Sequence, residues 1–217
     1  MVKNKCLSVF GAVVVLLVTP VAFAQKDAAL VTTVAGESTW QGASGKSATV
    51  QSFMKLREGD RADIKAKSKL NLVYLESGEV EQWDGPASFV IGGARTQNIT
   101  AGKPVTRKLP MSMVERIARA PEVMTDIRNR SGMTVTRSFV KSEAAERARK
   151  IYAENRALLP PDDITPELDL FIVLYKERQY AQARTVLQDM QKRTPDDSVV
   201  KELVERFNRS LDAPKPG

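Results

Sequence analysis

The 217 residues carry 33 Lys and Arg against 26 Asp and Glu, a formal charge of +7, and 42% of them are hydrophobic and 27% charged. That is the balance of an ordinary folded chain of one or two small domains, not of a disordered or fibrous one. With no His and a single Cys, His-dependent nucleophilic triads and dyads and His-based zinc sites are excluded, so any chemistry would have to use carboxylates, Lys, Tyr or Ser.

The first expected element is a targeting segment. Lys3 and Lys5 precede an apolar run from Val9 to Val18, and Ala22-Phe23-Ala24 places small residues at the two positions a signal peptidase reads. The pattern predicts export to the periplasm with cleavage after Ala24, residues 1–24 being the signal peptide. A membrane anchor is disfavoured because the run falls short of the roughly 20 residues a spanning helix needs and is broken by Thr19-Pro20. Cys6 lies ahead of the run, away from any lipid-attachment position, so the exported chain would contain no cysteine.

Residues 25–110 read as a compact all-β unit. Candidate strands are Val31 to Val34, Ser38 to Trp40, Ala48 to Ser52, Ala62 to Ile64, Leu70 to Leu75, Val80 to Trp83, Ser88 to Ile91 and Gln97 to Thr100. Turn-forming stretches such as Glu58-Gly59-Asp60, Ser77-Gly78, Asp84-Gly85-Pro86 and Gly92-Gly93 separate them. In the run from Leu70 to Leu75, Leu70, Leu72 and Tyr74 share one face while Val73 and Leu75 make the other apolar as well, which predicts a central strand.

After Pro110 the period changes. Met113, Val114, Ile117, Met124 and Ile127 suggest one or two short helices interrupted at Ala120-Pro121, and residues 111–141 are read as a linker with short helices. Within it, Thr134 to Val140 is ambiguous and allows a short strand. Helical patterning then runs through Ser142 to Leu158, Pro166 to Arg178, Ala181 to Arg193 and Ser198 to Leu211. Asp162-Asp163 and Asp196-Asp197 stand near helix starts, where the dipole favours acidic groups. The helical unit is placed at 142–211, and the Pro-rich tail 212–217 is expected to be disordered.

Two resemblances attach to these residues. Leu56-Arg57-Glu58-Gly59-Asp60-Arg61-Ala62, Lys69 to Leu75, Ser77-Gly78-Glu79-Val80 and Gly85-Pro86-Ala87-Ser88-Phe89 resemble the FecR domain over about 80 residues. The resemblance implies a periplasmic interaction or sensing module. The sigma-factor-regulating role of well-known members does not carry over, since the membrane helix and cytoplasmic region that serve it have no counterpart in these residues. Leu170, Leu174, Tyr180, Ala183, Leu187, Met190 and Pro195 are similar to one tetratricopeptide repeat, a 34-residue helical hairpin. Phe171 departs from that pattern, where Gly or Ala is usual. Leu170, Leu174, Ala183 and Leu187 would face inward, and because one repeat cannot bury its own faces the flanking helices must complete the packing. A bundle without repeat ancestry is the alternative. The expected fold class is therefore α+β by segregated domains: an N-terminal all-β, FecR-like sandwich or roll followed by a C-terminal helical, TPR-like hairpin bundle.

No catalytic, cofactor or metal constellation emerges. Glu79, Glu81 and Asp84 are read as solvated carboxylates, Lys65, Lys67 and Lys69 as a solvated turn, and Gly92-Gly93-Ala94 lacks the lysine and spacing of a phosphate loop. The expected function is non-enzymatic: an adaptor or scaffold for another envelope protein, or a module for peptidoglycan or a related polymer, with nucleic acid excluded as a partner and any membrane association peripheral. Candidate contact residues are Trp40 and Trp83, each either a stacking surface or core; Arg128, Arg130 and Arg137 in the basic middle of the chain; and Tyr175 and Lys176, on the face a tetratricopeptide hairpin turns to its ligands. The same face would carry Thr165, Leu168 and Ile172, with Leu168 and Ile172 expected in the core.

Overall fold

The computed structural model describes residues 26–42, 44–129 and 142–212. The expected signal peptide, the ambiguous 134–140 stretch and the tail beyond 212 lie outside them.

Ten strands form two antiparallel sheets. The strands are β1 Asp27–Ala35, β2 Ser38–Gln41, β3 Ser47–Thr49, β4 Lys55–Arg57, β5 Arg61–Ile64, β6 Lys69–Tyr74, β7 Glu79–Asp84, β8 Ala87–Ile91, β9 Thr96–Ala101 and β10 Val105–Lys108. Sheet A runs β10-β7-β6-β1-β4 and sheet B runs β3-β2-β5-β8-β9. All eight expected strands are present, and β4 and β10 are additional. The turn before β5 forms as its residues dictate: Gly59 takes φ +89°, which a Cβ would oppose, and the Asp60 carboxylate accepts the Arg57 N–H at 2.9 Å.

The two-sided apolar pattern of β6 decides the architecture. Leu70, Leu72 and Tyr74 face sheet B and enclose a core with Val31, Leu56, Ala62, Ile64, Trp83, Phe89 and Ile91. Val73 faces the other way, with Leu30 and Val80, into a second core shared with the helices. Sheet A is thus the middle of three layers.

Six helices form the third layer: α1 Met111–Ile117, α2 Ala120–Asn129, α3 Glu143–Leu158, α4 Thr165–Lys176, α5 Tyr180–Arg193 and α6 Ser198–Asp212. Ser142 caps α3 by accepting the Ala145 N–H, and Pro121 stands in the first turn of α2, where its missing N–H costs nothing. Every residue of α4 from Thr165 to Tyr175 is buried, as befits a helix enclosed by α1, α2, α3 and α5. The expected inward residues Leu170, Leu174, Ala183 and Leu187 are all buried.

Two differences from the sequence reading matter for function. Residues 111–129 are structural rather than connecting, because Met113, Val114, Ile117, Ala120, Val123, Met124 and Ile127 are buried in the helical core. And the core of the helical half is not its own, since Leu30, Phe53, Val73, Val80 and Leu109 of the β half belong to it. The architecture is a mixed α+β one, two antiparallel sheets with a helical layer. No helix of the described residues is long and apolar enough to cross a membrane.

Candidate partner-binding groove

Helix α6 is amphipathic with an apolar arc wider than one contact needs. Val200, Leu203, Val204 and Phe207 enter the core, and Leu203 with the half-buried Val199, one turn apart, also lines a groove. Pro121, Met124 and Ile127 of α2 form the facing wall, and Gln51 to Met54, the segment between β3 and β4, close the end. The groove has a volume of about 200 Å³, enough for a large side chain. Its floor is apolar, with Phe53, Met54, Met124 and Leu203, and its rim carries Arg128, Arg206 and Glu202. Arg206 is held by Glu202 at 2.6 Å. The exposed Arg128 donates a long 3.4 Å bond to the Met124 carbonyl.

The closing segment is built rigidly. Phe53 adopts φ +67°, an unusual conformation for a bulky residue, and is held in it from both sides: its N–H donates to the Val31 carbonyl at 2.8 Å, and the Val31 N–H donates to the Met54 carbonyl at 2.9 Å. Asp197 ties it to the helices. One carboxylate oxygen caps α6, accepting the Val199 and Val200 N–H groups at 2.9 and 3.1 Å, and the other accepts the Ser52 hydroxyl. The groove is therefore assembled jointly by the β half and the helical half, with one buried carboxylate setting their spacing.

Other buried charges serve the frame. Glu167, 0% exposed, receives Arg156 at 2.9 Å, Arg193 at 3.0 Å and the Tyr152 hydroxyl at 3.1 Å. Arg156 also donates to the carbonyls of Leu159, Pro160 and Asp163, fastening the turn between α3 and α4. Asp169 is bound by both arms of Arg116, and that hydrogen-bonded carboxylate raises the guanidinium's pKa, keeping it charged. Among the described residues no group of three or more His, Cys, Asp or Glu is placed to hold a metal ion.

The residues singled out in the sequence scatter. Trp83 is fully buried, stacked on Phe89 at 4.1 Å with its indole N–H donated to Glu81, so it offers no surface to a polymer or a protein. Glu81 is likewise not solvated: it is 2% exposed and also accepts the Thr96 N–H. Tyr175, expected as a contact, is buried with its hydroxyl donated to Asp126 of α2 at 2.6 Å, because α1 and α2 cover the face a free hairpin would present. Leu168 and Ile172 are buried, as expected, and so is Thr165. Lys176 is exposed at the end of α4, its pKa lowered first by desolvation and then by Arg119 and Arg116. Trp40 is half-buried in β2 and packs against the sandwich core, away from the groove. Arg130 and Arg137 lie outside the described residues. Lys69 is paired with Asp162 at 2.8 Å.

Of the five candidates among the described residues, only Arg128 lines the groove. Sequence reasoning missed the rest of it because Ser52 and Asp197 are far apart in the chain; the one available signal was the surplus width of the α6 apolar arc. Compared with known proteins, the chain matches no family model, no curated protein and no solved structure.

Proposed function

We propose that this chain is an exported, periplasmic, non-enzymatic binding protein, a scaffold that holds a short segment of another envelope protein in the groove between α2, α6 and the 51–54 segment. The observation that carries the reading is the groove itself: an apolar floor under a rim that carries the exposed Arg128, built by two halves that share one core. A segment with one bulky apolar anchor and a neighbouring carboxylate complements it, the anchor on Phe53, Met54 and Leu203 and the carboxylate at Arg128. Export is supported by the basic, apolar and small-residue order of the first 24 residues. The FecR-like and tetratricopeptide-like patterns, both borne by interaction modules, support binding over catalysis.

The wall-polymer alternative loses its main aromatic platform with the burial of Trp83 and retains Trp40. Photo-crosslinking in cells separates the two. With a photoreactive amino acid at Leu203, a discrete adduct is expected that Met54→Asp removes and that the same probe at the exposed Ile99, on β9 at the opposite edge of sheet B from β3, does not form. Identical adducts from both positions, or adducts indifferent to Met54→Asp alongside co-sedimentation with isolated sacculi, would overturn the groove as the docking site.

A further inference from the structure

Each sheet ends in two strands whose outer main-chain groups are open, a template for pairing that proteins usually blunt. Three of the four are blunted here. β3 and β4 have three residues each. The register of β9 on β8 breaks between Ser88 and Val90, and Asn98 of β9 stands at φ +47°.

The fourth, β10, is not. Val105, Thr106, Arg107 and Lys108 keep unbroken register with Gln82, Glu81, Val80 and Glu79 of β7, and all four are exposed, Val105 by 51%. The Leu109 N–H donates to the Gly78 carbonyl at 2.9 Å, extending the same register by one pair. Antiparallel ladders alternate bonded and unbonded pairs, so Val105 and Arg107 bond to β7 while Thr106 and Lys108 turn their N–H and C=O groups outward. Among the described residues nothing meets them.

Charge selects the occupant. Arg107, Lys108 and, just before the strand, Lys103 make no ion pair or side-chain hydrogen bond among the described residues; Glu79 lies across the ladder from Lys108 without pairing to it. A second copy of this chain is disfavoured, because a two-fold register that bonds Thr106 to Lys108 of the copy sets the two Arg107 side chains directly opposite each other. An extended segment carrying Glu or Asp meets no such repulsion.

We propose that β10 is an acceptor edge at which an acidic, extended segment of a partner protein joins sheet A as a sixth strand, its main chain bonded to Thr106 and Lys108 and its carboxylates facing Lys103, Arg107 and Lys108. The proposal is independent of the groove, which lies against the helical layer.

The test is a titration of the ¹⁵N-labelled chain with a blocked nonapeptide of repeated Glu-Glu-Val, which places carboxylates on both faces of a strand, beside its counterpart with Lys for Glu. The Glu peptide is expected to shift the amides of residues 105–108 and of β7, with binding that weakens as salt rises. Thr106→Pro removes an outward N–H without taking a bond from β7 and is expected to weaken binding about tenfold or more. Arg107→Glu with Lys108→Glu keeps the main chain intact and should transfer the preference to the Lys peptide, so that the test stands even where the proline variant misfolds. Equal binding of the two peptides, undiminished binding by a folded Thr106→Pro variant, or self-association of the free chain through β10 would each overturn the proposal.

Discussion

The two faces of sheet A are buried by different means. Toward sheet B the core is made by alternation, with Leu70, Leu72, Tyr74 and Trp83 meeting Ile64, Phe89 and Ile91. Its nearly inaccessible carboxylates take neutral donors, Glu81 from Trp83 and Thr96 and Asp60 from the Arg57 N–H. Toward the helices the apolar contacts of Leu30, Val73 and Val80 are accompanied by two carboxylates on α4, Glu167 and Asp169, each clasped by arginine from another helix. The difference follows from geometry. Strand register already fixes which residues face one another across a sandwich, whereas helices on a sheet can slide and rotate, and a desolvated charge that finds its partner in only one arrangement selects that arrangement.

Trp83→Ala is the strongest way to break this comparison. The substitution deletes the largest fully buried side chain and its Phe89 stack, and it leaves Glu81 without one of its donors. A loss of about 3–5 kcal/mol is expected from the cavity alone. Because both cores share sheet A, helical ellipticity should fall in the same urea transition as the sandwich. A helical signal that keeps its own midpoint would show two independent bodies instead.

Glu167→Gln sharpens the other side. It preserves shape and the hydrogen bond from Tyr152 but leaves Arg156 and Arg193 facing an uncharged group. A loss of about 2–3 kcal/mol is expected, below the full cost of a broken buried pair because the Arg193 side chain keeps 29% of its exposure. If the charge selects helix placement, the variant should also lose sharp near-ultraviolet dichroism while keeping its helix content. An unchanged near-ultraviolet spectrum would reduce the clasp to a stability element.

How far these features were legible in the sequence depends on how local their causes are. The two apolar faces of β6 announced a central strand because a strand's alternation is its own. β4 and β10 were missed because Lys-Leu-Arg and Val-Thr-Arg-Lys show almost no apolar alternation; these strands are recruited by main-chain pairing with β1 and β7. Glu81 and Trp83, two apart and therefore on one face, were readable as a donor and acceptor pair, yet nothing local revealed that Thr96 of the other sheet would complete the site. The helices at 111–127 were readable from their periodicity, but not their position over α4, which is what buries Tyr175. The groove is the extreme case, since its walls come from three separate stretches, two of which, α6 and the 51–54 segment, are joined by a single carboxylate, Asp197.

The smallest effect expected is a pH response, and it sets the two regions against each other once more. Desolvation pushes the carboxyl of Asp60, in the turn before β5, above its ordinary value, and it does the same to Asp163 before α4, where the Thr165 N–H donates to it at 2.9 Å. A carboxyl with a raised folded-state pKa binds its proton more readily in the folded chain than in the unfolded one. Stability therefore rises as pH falls from neutrality through the raised values, and this gain is complete only below the ordinary carboxylate range. No His is present to charge in that interval and oppose it. Asp162, whose pKa stays lowered by Lys69 against the opposing effect of burial, works the other way only as pH falls through the ordinary carboxylate range and below. Thermal melting should accordingly show Tm level or raised by up to about 2–4 °C between pH 7 and pH 5, and a steady fall over that interval would sink the assignment. Desolvation also raises the pKa of Asp169 on α4, against the opposing Arg116. Asp60→Asn, Asp163→Asn and Asp169→Asn together then locate the response: the variant that flattens the profile identifies whether the turn of the sandwich, the entry to the central helix or its clasped carboxylate takes up the proton.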